Sequence, residues 1–125
     1  MIIGIGCDIV EHQICRNLNW ENDIKILKRI FSNAEIDIYN LKKDLRFLAG
    51  RFAAKEAILK CLGTGMHDGI SLLDIEILQS IHSKPIVRLS GEPKKIADQL
   101  KVNNWHISIS HSSKFSISYV VVESI

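Results

Sequence analysis

The segment that decides the fold spans residues 45–62 and reads LRFLAGRFAAKEAILKCL. Its large apolar side chains recur at helical spacing and form one stripe: Leu45, Leu48, Phe52, Leu59 and Leu62. A second face carries the small residues Ala49, Ala53 and Ala57, which allow another backbone to approach closely. Gly63 follows as a natural C-cap. This spacing predicts one long, well-defined helix.

The N-terminus predicts a strand with two unlike faces. One face is continuously apolar and consists of Ile3, Ile5, Cys7 and Ile9. The other face carries Gly4 and Gly6 ahead of Asp8. Because glycine has no side chain, we expect open space beside the Asp8 carboxylate. The alanine face of the long helix is suited to press against such a strand.

The rest of the chain predicts a mixture of helices and antiparallel strands. Further helices are expected at 20–30, at 34–46 after an Asn33 cap, and from Gly91 through Pro93 onward. Paired strands are expected at 73–77 and 86–89 around a turn at 80–84, and at 106–110 and 115–122. Since βα alternation is irregular, the expected class is α+β, a small antiparallel sheet packed with helices around one long central helix.

Length and composition limit the class of protein. With 125 residues, the chain has room for a single domain, residues 1–125. Its 46% hydrophobic content supports a buried core and excludes wholesale disorder. The apolar run at the start ends at Asp8, which is too short for a membrane span or a signal peptide.

Charge and cysteine content further limit the class of protein that we expect. The 16 basic and 14 acidic residues nearly balance, which excludes a strongly charged nucleic-acid arm or acidic tail. Cys7, Cys15 and Cys61 show no CxxC spacing, so neither a disulfide framework nor a structural zinc site is expected. We therefore expect a soluble, reduced, cytoplasmic protein.

Asp8 and Glu56 are the first candidates for chemistry. Taken alone, each has an ordinary interpretation, because a carboxylate near a strand end is usually solvated or paired. Glu56 and Lys60, four residues apart, are likewise typical of a helix-surface ion pair. Taken together across a strand and a helix, Asp8 and Glu56 are the kind of carboxylate pair that holds Mg²⁺ along with waters and phosphate oxygens.

Other residues are compatible with phosphate binding. The Gly63-Thr64-Gly65 loop could offer backbone N–H groups to a phosphate, although a helix-capping loop is the simpler interpretation. Arg51, Lys55 and Lys60 against Glu56 leave the long helix with excess positive charge, which is compatible with phosphate binding but more typical of a solvated helix face. His111, which lies between Ser110 and Ser112 at the mouth of a hairpin, is more typical of a turn residue than of a catalytic one. The residues alone therefore indicate an α+β domain with a candidate magnesium–phosphate site.

Three segments carry a resemblance to a known family. They are GIGCDIVE at 4–11, RFAAKEA at 51–57 followed by Lys60 and GTG at 63–65, and SISH at 108–111 followed by VVVE at 120–123. In this order and spacing they resemble the motifs of the holo-acyl-carrier-protein synthase family of 4′-phosphopantetheinyl transferases. The matches extend from residue 4 to residue 123.

The resemblance implies a reaction. Family members transfer the phosphopantetheine arm of coenzyme A to a serine of apo-acyl carrier protein, in support of fatty acid biosynthesis, and release adenosine 3′,5′-bisphosphate. It implies that Asp8 and Glu56 hold Mg²⁺ and that Lys60 contacts a phosphate. The other residues that it places at coenzyme A are Arg51, Gly63, Thr64, Gly65, Ser110 and His111. The proton of the carrier serine could be taken by Glu56 or by a metal-bound water.

The resemblance also implies an assembly and a partner surface. Short members of the family are homotrimers with active sites between neighbouring subunits. Their acidic carrier protein would dock on basic residues of the 14–29 region, here Arg16, Lys25, Lys28 and Arg29. Ile14 stands where the family usually has an arginine that helps receive the carrier, so Arg16 takes over that contact or it is lost.

Two other functions compete with the enzyme. A non-catalytic module that binds coenzyme A or carrier protein would not need both Asp8 and Glu56, so the intact pair favours the enzyme. A small nucleic-acid-binding domain would use the basic residues of 14–46. That range has seven basic and five acidic residues, a net charge of +2, which is too little for strong phosphate binding.

Overall fold

The computed structural model describes residues 1–65, 70–82 and 84–125. Its helices are α1 (His12–Asn17), α2 (Ile24–Ile30), α3 (Asn33–Asn40), α4 (Leu45–Cys61) and α5 (Gly91–Gln99), with a 3₁₀ turn at Leu72–Asp74. Its strands are β1 (Ile2–Glu11), β2 (Ile75–Gln79), β3 (Pro85–Leu89), β4 (Asn104–His111) and β5 (Phe115–Glu123). Helices and antiparallel strands are mixed, so the predicted α+β class is confirmed.

The strands form two antiparallel sheets. The larger sheet has the order β1-β5-β4, with Asp8 opposite Ser118 and His111 opposite Ser116. The smaller sheet is the β2–β3 hairpin, in which Ile77 lies opposite Val87. Within the described ranges, no helix is both long and apolar enough to cross a membrane.

Helix α4 is the central element, as the sequence predicts. It lies against β1 and β5 and contributes to two hydrophobic clusters. One cluster joins the C-terminal half of α4 to the sheets and includes Ala57, Ile58, Ile75, Val120 and Val122. The other joins its N-terminal half to the first helices and includes Leu48, Ala53, Trp20, Leu27 and Phe31. Both ends of α4 are therefore fixed by burial.

The glycines of β1 allow the strand and α4 to touch backbone to backbone. A Cβ atom on Gly4 would overlap the carbonyl oxygen of Cys61, and one on Gly6 would overlap that of Ala57. The predicted close approach of another backbone is confirmed at Ala57. The expected open space beside Asp8 is wrong, because the α4 main chain fills the volume that the glycines leave.

The continuously apolar face of β1 lies on the outside of the sheet. Ile5 is 58% exposed and Ile9 is 60% exposed. Across the register, Ile117 and Tyr119 of β5 continue the same face and are also exposed. The glycine face of β1, rather than its isoleucine face, therefore points to the core of the chain.

Several predicted boundaries are wrong for local reasons. Helix α1 was not predicted, and the helix expected from residue 20 begins only after Asp23, whose carboxylate accepts from two backbone N–H groups. Ser32, not Asn33, caps α3 through a capping box with Glu35. The helix expected to continue to 46 stops at Asn40.

The other elements follow the prediction more closely. Strand β2 begins at Ile75 rather than at 73 because Ser71 caps the 3₁₀ turn before it. The turn at 80–84 is closed by the Ser80 N–H, which donates to the Lys84 carbonyl at 2.9 Å. Ser83, inside this turn, lies outside the described residues. Helix α5 begins at Gly91 with Pro93 in its first turn, as predicted.

A buried ion pair joins α3 to α4. The Lys55 ammonium lies 2.7 Å from a Glu35 carboxylate oxygen, and both side chains are fully buried. The ammonium also donates to the carbonyls of Ile30 and Leu72. The other Glu35 oxygen accepts from the Ile77 N–H. Lys55 therefore stabilises the fold. The sequence-based suggestion that it adds to a phosphate-binding surface is wrong.

Candidate active site

Asp8 lies on the glycine face of β1, where α4 passes closest. Its carboxylate accepts a hydrogen bond from the Lys60 ammonium at 3.1 Å. The same ammonium donates to the Cys7 carbonyl at 2.8 Å. Lys60, on the last turn of α4, therefore reaches across to the strand instead of remaining a helix-surface residue.

Glu56 lies one turn before Lys60 and completes a cluster of charged groups. Its side chain is half-buried, and burial raises the pKa of its carboxyl; the neighbouring Asp8 carboxylate raises it further, while Lys60 lowers it. Asp8 and Glu56 thus repel each other across the strand–helix contact. Because Lys60 contacts Asp8 and Glu56 lies one turn away on the same face of α4, the two carboxylates that the sequence predicts to pair lie on the same side of this contact.

The cluster offers two carboxylates for a cation. Within residues 1–65, 70–82 and 84–125, no group of three or more His, Cys, Asp or Glu side chains converges. Two hard oxygen donors that repel each other fit Mg²⁺, which commonly takes one or two protein carboxylates and completes its octahedron with water and ligand oxygens.

Arg51 occupies a second place on α4, nine residues before Lys60 and so about 13 Å away along the helix axis. Its guanidinium lies 4.5 Å from the centre of the Phe47 ring. Arg51 is buried, and its Nε and Nη2 atoms have no hydrogen-bond partner within the described ranges. Burial lowers its pKa. A buried cation with unpaired donors is suited to receive an anion.

A cavity of about 480 Å³ adjoins Arg51. Its polar and charged lining includes Lys42, Asp44, Arg46, Arg51 and His111. In the described part of the chain, this lining has three basic side chains against one carboxylate, that of Asp44, which is itself bound to Arg46 at 2.9 Å. The cavity therefore has the charge expected of a site for a multiply charged anion.

His111 ends β4 at the mouth of this cavity. Its Nδ1 lies 2.7 Å from Ser116 Oγ, and partial burial together with the charge of Arg46 lowers its pKa. Ser110 is exposed on β4, opposite Ile117. Of the predicted ligand residues, Arg51 and His111 thus line one cavity, whereas Asp8, Glu56 and Lys60 form the other cluster.

The Gly63–Gly65 loop ends α4 as a capping loop. Gly63 has a φ of +74°, which favours glycine, and its N–H donates to the Lys60 carbonyl at 3.1 Å. The Thr64 N–H donates to the Leu59 carbonyl at 3.0 Å. Two of the loop's three backbone donors are therefore used by the helix end, and the Thr64 hydroxyl donates to the Gly65 carbonyl at 3.4 Å.

Sequence reasoning missed the residues that support His111. Arg46 is one of the basic residues of 14–46, and nothing in its sequence position signals that it lines the same cavity as Arg51 and His111. His12 and Ser116, which connect to His111 inside the fold, belong to no local motif. The pairing of β5 with both β4 and β1 brings these residues together, and no sequence spacing signals it.

Comparison with known proteins gives the class. The 4′-phosphopantetheinyl transferase superfamily matches this chain over residues 4–119. A holo-[acyl-carrier-protein] synthase of Geobacillus sp. strain WCH70 is 41% identical over 126 residues, covering 98% of this chain and 98% of that protein.

Solved structures agree with that class. A holo-(acyl-carrier-protein) synthase from Bacillus anthracis strain Ames, in complex with CoA (3′,5′-ADP), is 37% identical with a TM-score of 0.81, covering 100% of this chain and 99% of that one. The Helicobacter pylori synthase in complex with coenzyme A is 35% identical with a TM-score of 0.82, covering 95% of this chain and 99% of that one. The chain belongs to the holo-acyl-carrier-protein synthase family of this superfamily.

Proposed function

We propose that this protein transfers the 4′-phosphopantetheine group of coenzyme A to a serine of apo-acyl carrier protein, in support of fatty acid biosynthesis. The products are holo-acyl carrier protein and adenosine 3′,5′-bisphosphate. The observation that carries the proposal is the meeting of Asp8, Glu56 and Lys60 at the β1–α4 contact, in a chain that belongs to this family. The synthases in the two compared complexes bind coenzyme A or 3′,5′-ADP.

Asp8 and Glu56 would hold the Mg²⁺ ion. When bound, the ion supplies positive charge that neutralises the pyrophosphate of coenzyme A. The support for this assignment is the donor set itself: two carboxylates that repel each other, with the Lys60 ammonium already on one of them. Cation binding relieves that repulsion.

Other groups of the chain bind and orient the substrate. Lys60 contacts a phosphate oxygen near the reacting bond, and Arg51 with His111 binds a further phosphate of coenzyme A. Both contributions are electrostatic and positional, which is how phosphoryl transfer is mainly accelerated.

The proton of the carrier serine goes to Glu56. The serine oxygen forms a bond to the β-phosphorus of coenzyme A as the bond from that phosphorus to the bridging oxygen breaks, and adenosine 3′,5′-bisphosphate leaves. Glu56 is a carboxylate at the β1–α4 contact that can accept this proton, and a water is the alternative acceptor.

One experiment tests the function. The protein is incubated with apo-acyl carrier protein, coenzyme A and Mg²⁺, and the carrier is analysed by mass spectrometry for one added phosphopantetheine. The wild type should modify the carrier, whereas Asp8→Ala and Glu56→Ala should not at limiting Mg²⁺. Binding of coenzyme A without any modification would instead identify a non-catalytic binding module.

We also propose that the protein assembles as a homotrimer with active sites between subunits. The support is the exposed apolar face of the β1-β5-β4 sheet, where Ile5, Ile9, Ile117 and Tyr119 are 58%, 60%, 37% and 53% exposed. A contiguous apolar face of this kind is unusual on a monomer. Two further copies of the chain are the occupants that the family resemblance suggests.

The carrier protein would dock on α1 and α2. Arg16, Lys25, Lys28 and Arg29 are all exposed there, and no acidic residue lies within either helix. Ile14, where an arginine was expected, is 53% exposed on the same surface. Reversing the charge of Lys28 should raise the KM for carrier protein and leave the KM for coenzyme A unchanged.

A further inference from the structure

Ser116 lies between two histidine side chains. Its Oγ is 2.8 Å from His12 Nε2 and 2.7 Å from His111 Nδ1. Ser116 is fully buried and His12 is 2% exposed, whereas His111 is open to the cavity. The three side chains form one hydrogen-bonded chain that begins in the core and ends at the cavity that Arg51 lines.

The fold holds this chain in place. Ser116 faces the core from β5, in register with His111 on β4 and with Val10 on β1. On its other side, the His111 ring lies against α4, since a Cβ atom on Gly50 would be 2.8 Å from His111 Cε1. Because Nδ1 of His111 is bound to Ser116, the second ring nitrogen, Nε2, is the one that can bind a ligand.

The number of protons limits how the chain can be arranged. A serine hydroxyl has one hydrogen and donates to one acceptor only. Its oxygen can accept from both imidazoles only if its own hydrogen has a third acceptor, and none is present in the described part of the chain. When both imidazoles are neutral, one therefore donates to Ser116 Oγ and the other accepts from it. One arrangement leaves a proton on His111 Nε2, and the other leaves a bare lone pair there.

Burial and the charges around His111 favour the neutral form of its imidazole. Partial burial lowers its pKa first, and the positive charges of Arg46 and Arg51 lower it further, against the opposing effect of Asp44. A neutral imidazole binds a phosphate oxygen only through an N–H group, so the tautomer of His111 decides whether it can help.

We infer that His12 and Ser116 are positioning residues that give His111 the tautomer needed to bind an anion. In the complex, His12 Nε2–H donates to Ser116 Oγ, and Ser116 Oγ–H donates to His111 Nδ1. His111 then keeps its proton on Nε2 and donates it to a phosphate oxygen. That this anion is a phosphate of coenzyme A rests on the proposed function.

Nitrogen NMR of the histidine rings tests the arrangement directly. With ¹⁵N-labelled protein and bound adenosine 3′,5′-bisphosphate at about pH 7.5, His12 and His111 should both be neutral with the proton on Nε2. A proton on His111 Nδ1, or a charged His111 ring at this pH, would overturn the inference.

Variants test whether the chain matters for binding. Removing the hydroxyl in Ser116→Ala should weaken binding of adenosine 3′,5′-bisphosphate, measured without metal, by about tenfold. The KM for coenzyme A should rise in parallel while the KM for carrier protein stays unchanged. The loss should shrink at pH values below the His111 pKa, because a charged imidazole carries both N–H groups whatever its neighbours do.

Matched variants separate this role from a structural one. Ser118→Ala removes another fully buried hydroxyl from the same face of β5. Because Ser118 Oγ has no hydrogen-bond partner in the described part of the chain, this variant should bind adenosine 3′,5′-bisphosphate as the wild type does. His12→Gln keeps an N–H donor and should preserve binding, whereas His12→Leu should weaken it. Equal affinity in Ser116→Ala and wild type would overturn the inference alone, while a wild type that binds no bisphosphate would overturn the proposed function as well.

Discussion

The Lys60 ammonium neutralises the Asp8 carboxylate across the β1–α4 contact. It lies 3.1 Å from Asp8 Oδ1 and 2.8 Å from the Cys7 carbonyl oxygen, so one side chain from the helix is bound to both the backbone and the carboxylate of the strand. Because a cation is already present at Asp8, this position is electrostatically prepared for the charge changes of phosphoryl transfer.

Replacing Lys60 by methionine should affect transfer far more than stability. We expect kcat to fall by at least about tenfold, because a cation at the reacting phosphate is lost. The free energy of unfolding should change by no more than about 1 kcal/mol, since the ion pair is partly exposed. Lys94→Met is the control, because Lys94 forms a surface ion pair with Asp98 at 2.7 Å and is similarly exposed. Unchanged kinetics in Lys60→Met would show that the Asp8 contact is only structural.

Replacing Glu56 by glutamine should stabilise the metal-free protein at neutral pH while abolishing transfer. The pKa of Glu56 is raised above its ordinary value of 4.5. The stability that this group contributes is therefore fully present below pH 4.5 and is lost as the pH rises through the folded-state pKa. Glutamine resembles the protonated form and avoids that loss.

The measurement for Glu56→Gln is urea unfolding in metal-free buffer at about pH 7 and about pH 4. The variant should be more stable than wild type at the higher pH and equal to it at the lower pH. Glu92→Gln on α5 provides a control that should show no such pH-dependent gain. A variant less stable than wild type at pH 7 would contradict the electrostatic argument.

Replacing Arg51 by methionine should weaken coenzyme A binding without destabilising the ligand-free protein. Among the described residues, two nitrogen atoms of its buried guanidinium have no hydrogen-bond partner, and unpaired buried donors are unfavourable until an anion satisfies them. We expect at least a tenfold rise in Kd by calorimetry and an unchanged or higher melting temperature. Arg88→Met, on the exposed β2–β3 hairpin, should leave the Kd unchanged. A large drop in melting temperature would mean that Arg51 serves mainly the fold.

Breaking the Lys55–Glu35 pair should be strongly destabilising. Both side chains are fully buried, so Lys55→Met leaves an uncompensated carboxylate in the core. The expected cost is about 3–5 kcal/mol, measured by urea unfolding. Lys95→Met, which changes a lysine with a 73% exposed side chain, should cost little. A loss below about 1 kcal/mol for Lys55→Met would show that Glu35 finds other partners.

The assembly proposal can be tested by mass in solution. Light scattering should report about three times the chain mass of 14.1 kDa. Tyr119→Lys places a charge on the exposed sheet face and should give a monomer with little transfer activity. Lys114→Glu, on the loop before β5, controls for a charge change outside the sheet. An active wild-type monomer would contradict a site shared between subunits.

The part of the site that follows short-range periodicity was predictable from the sequence. Alternation along β1 places Asp8 on the glycine face, and helical spacing places Glu56 and Lys60 together on α4. The alanine and glycine faces then indicate that these two elements touch. Residue type and periodicity are enough to predict these positions, because the face that a residue occupies is determined within a single strand or helix.

Long-range pairings were beyond such reasoning. Lys55 has the same local signal as a surface lysine, and only the position of Glu35, 20 residues earlier, explains its burial. His12 and Ser116 are 104 residues apart and meet through strand register. The end of α3 depends on Lys43, whose φ of 52° interrupts the helix without a glycine to signal it. These features can be recognised only when the three-dimensional structure is known.

The backbone contact between β1 and α4 has a consequence for how the site tolerates sequence change. Since Gly6 meets the Ala57 carbonyl directly, the spacing between the two carboxylate-bearing elements is set by main-chain atoms. Substitutions on the cavity side of α4 can then alter which ligand is accepted while the separation of Asp8 and Glu56 is preserved. An engineer could redesign the specificity of this protein around Arg51 and leave its reactive end intact, provided that position 6 remains glycine.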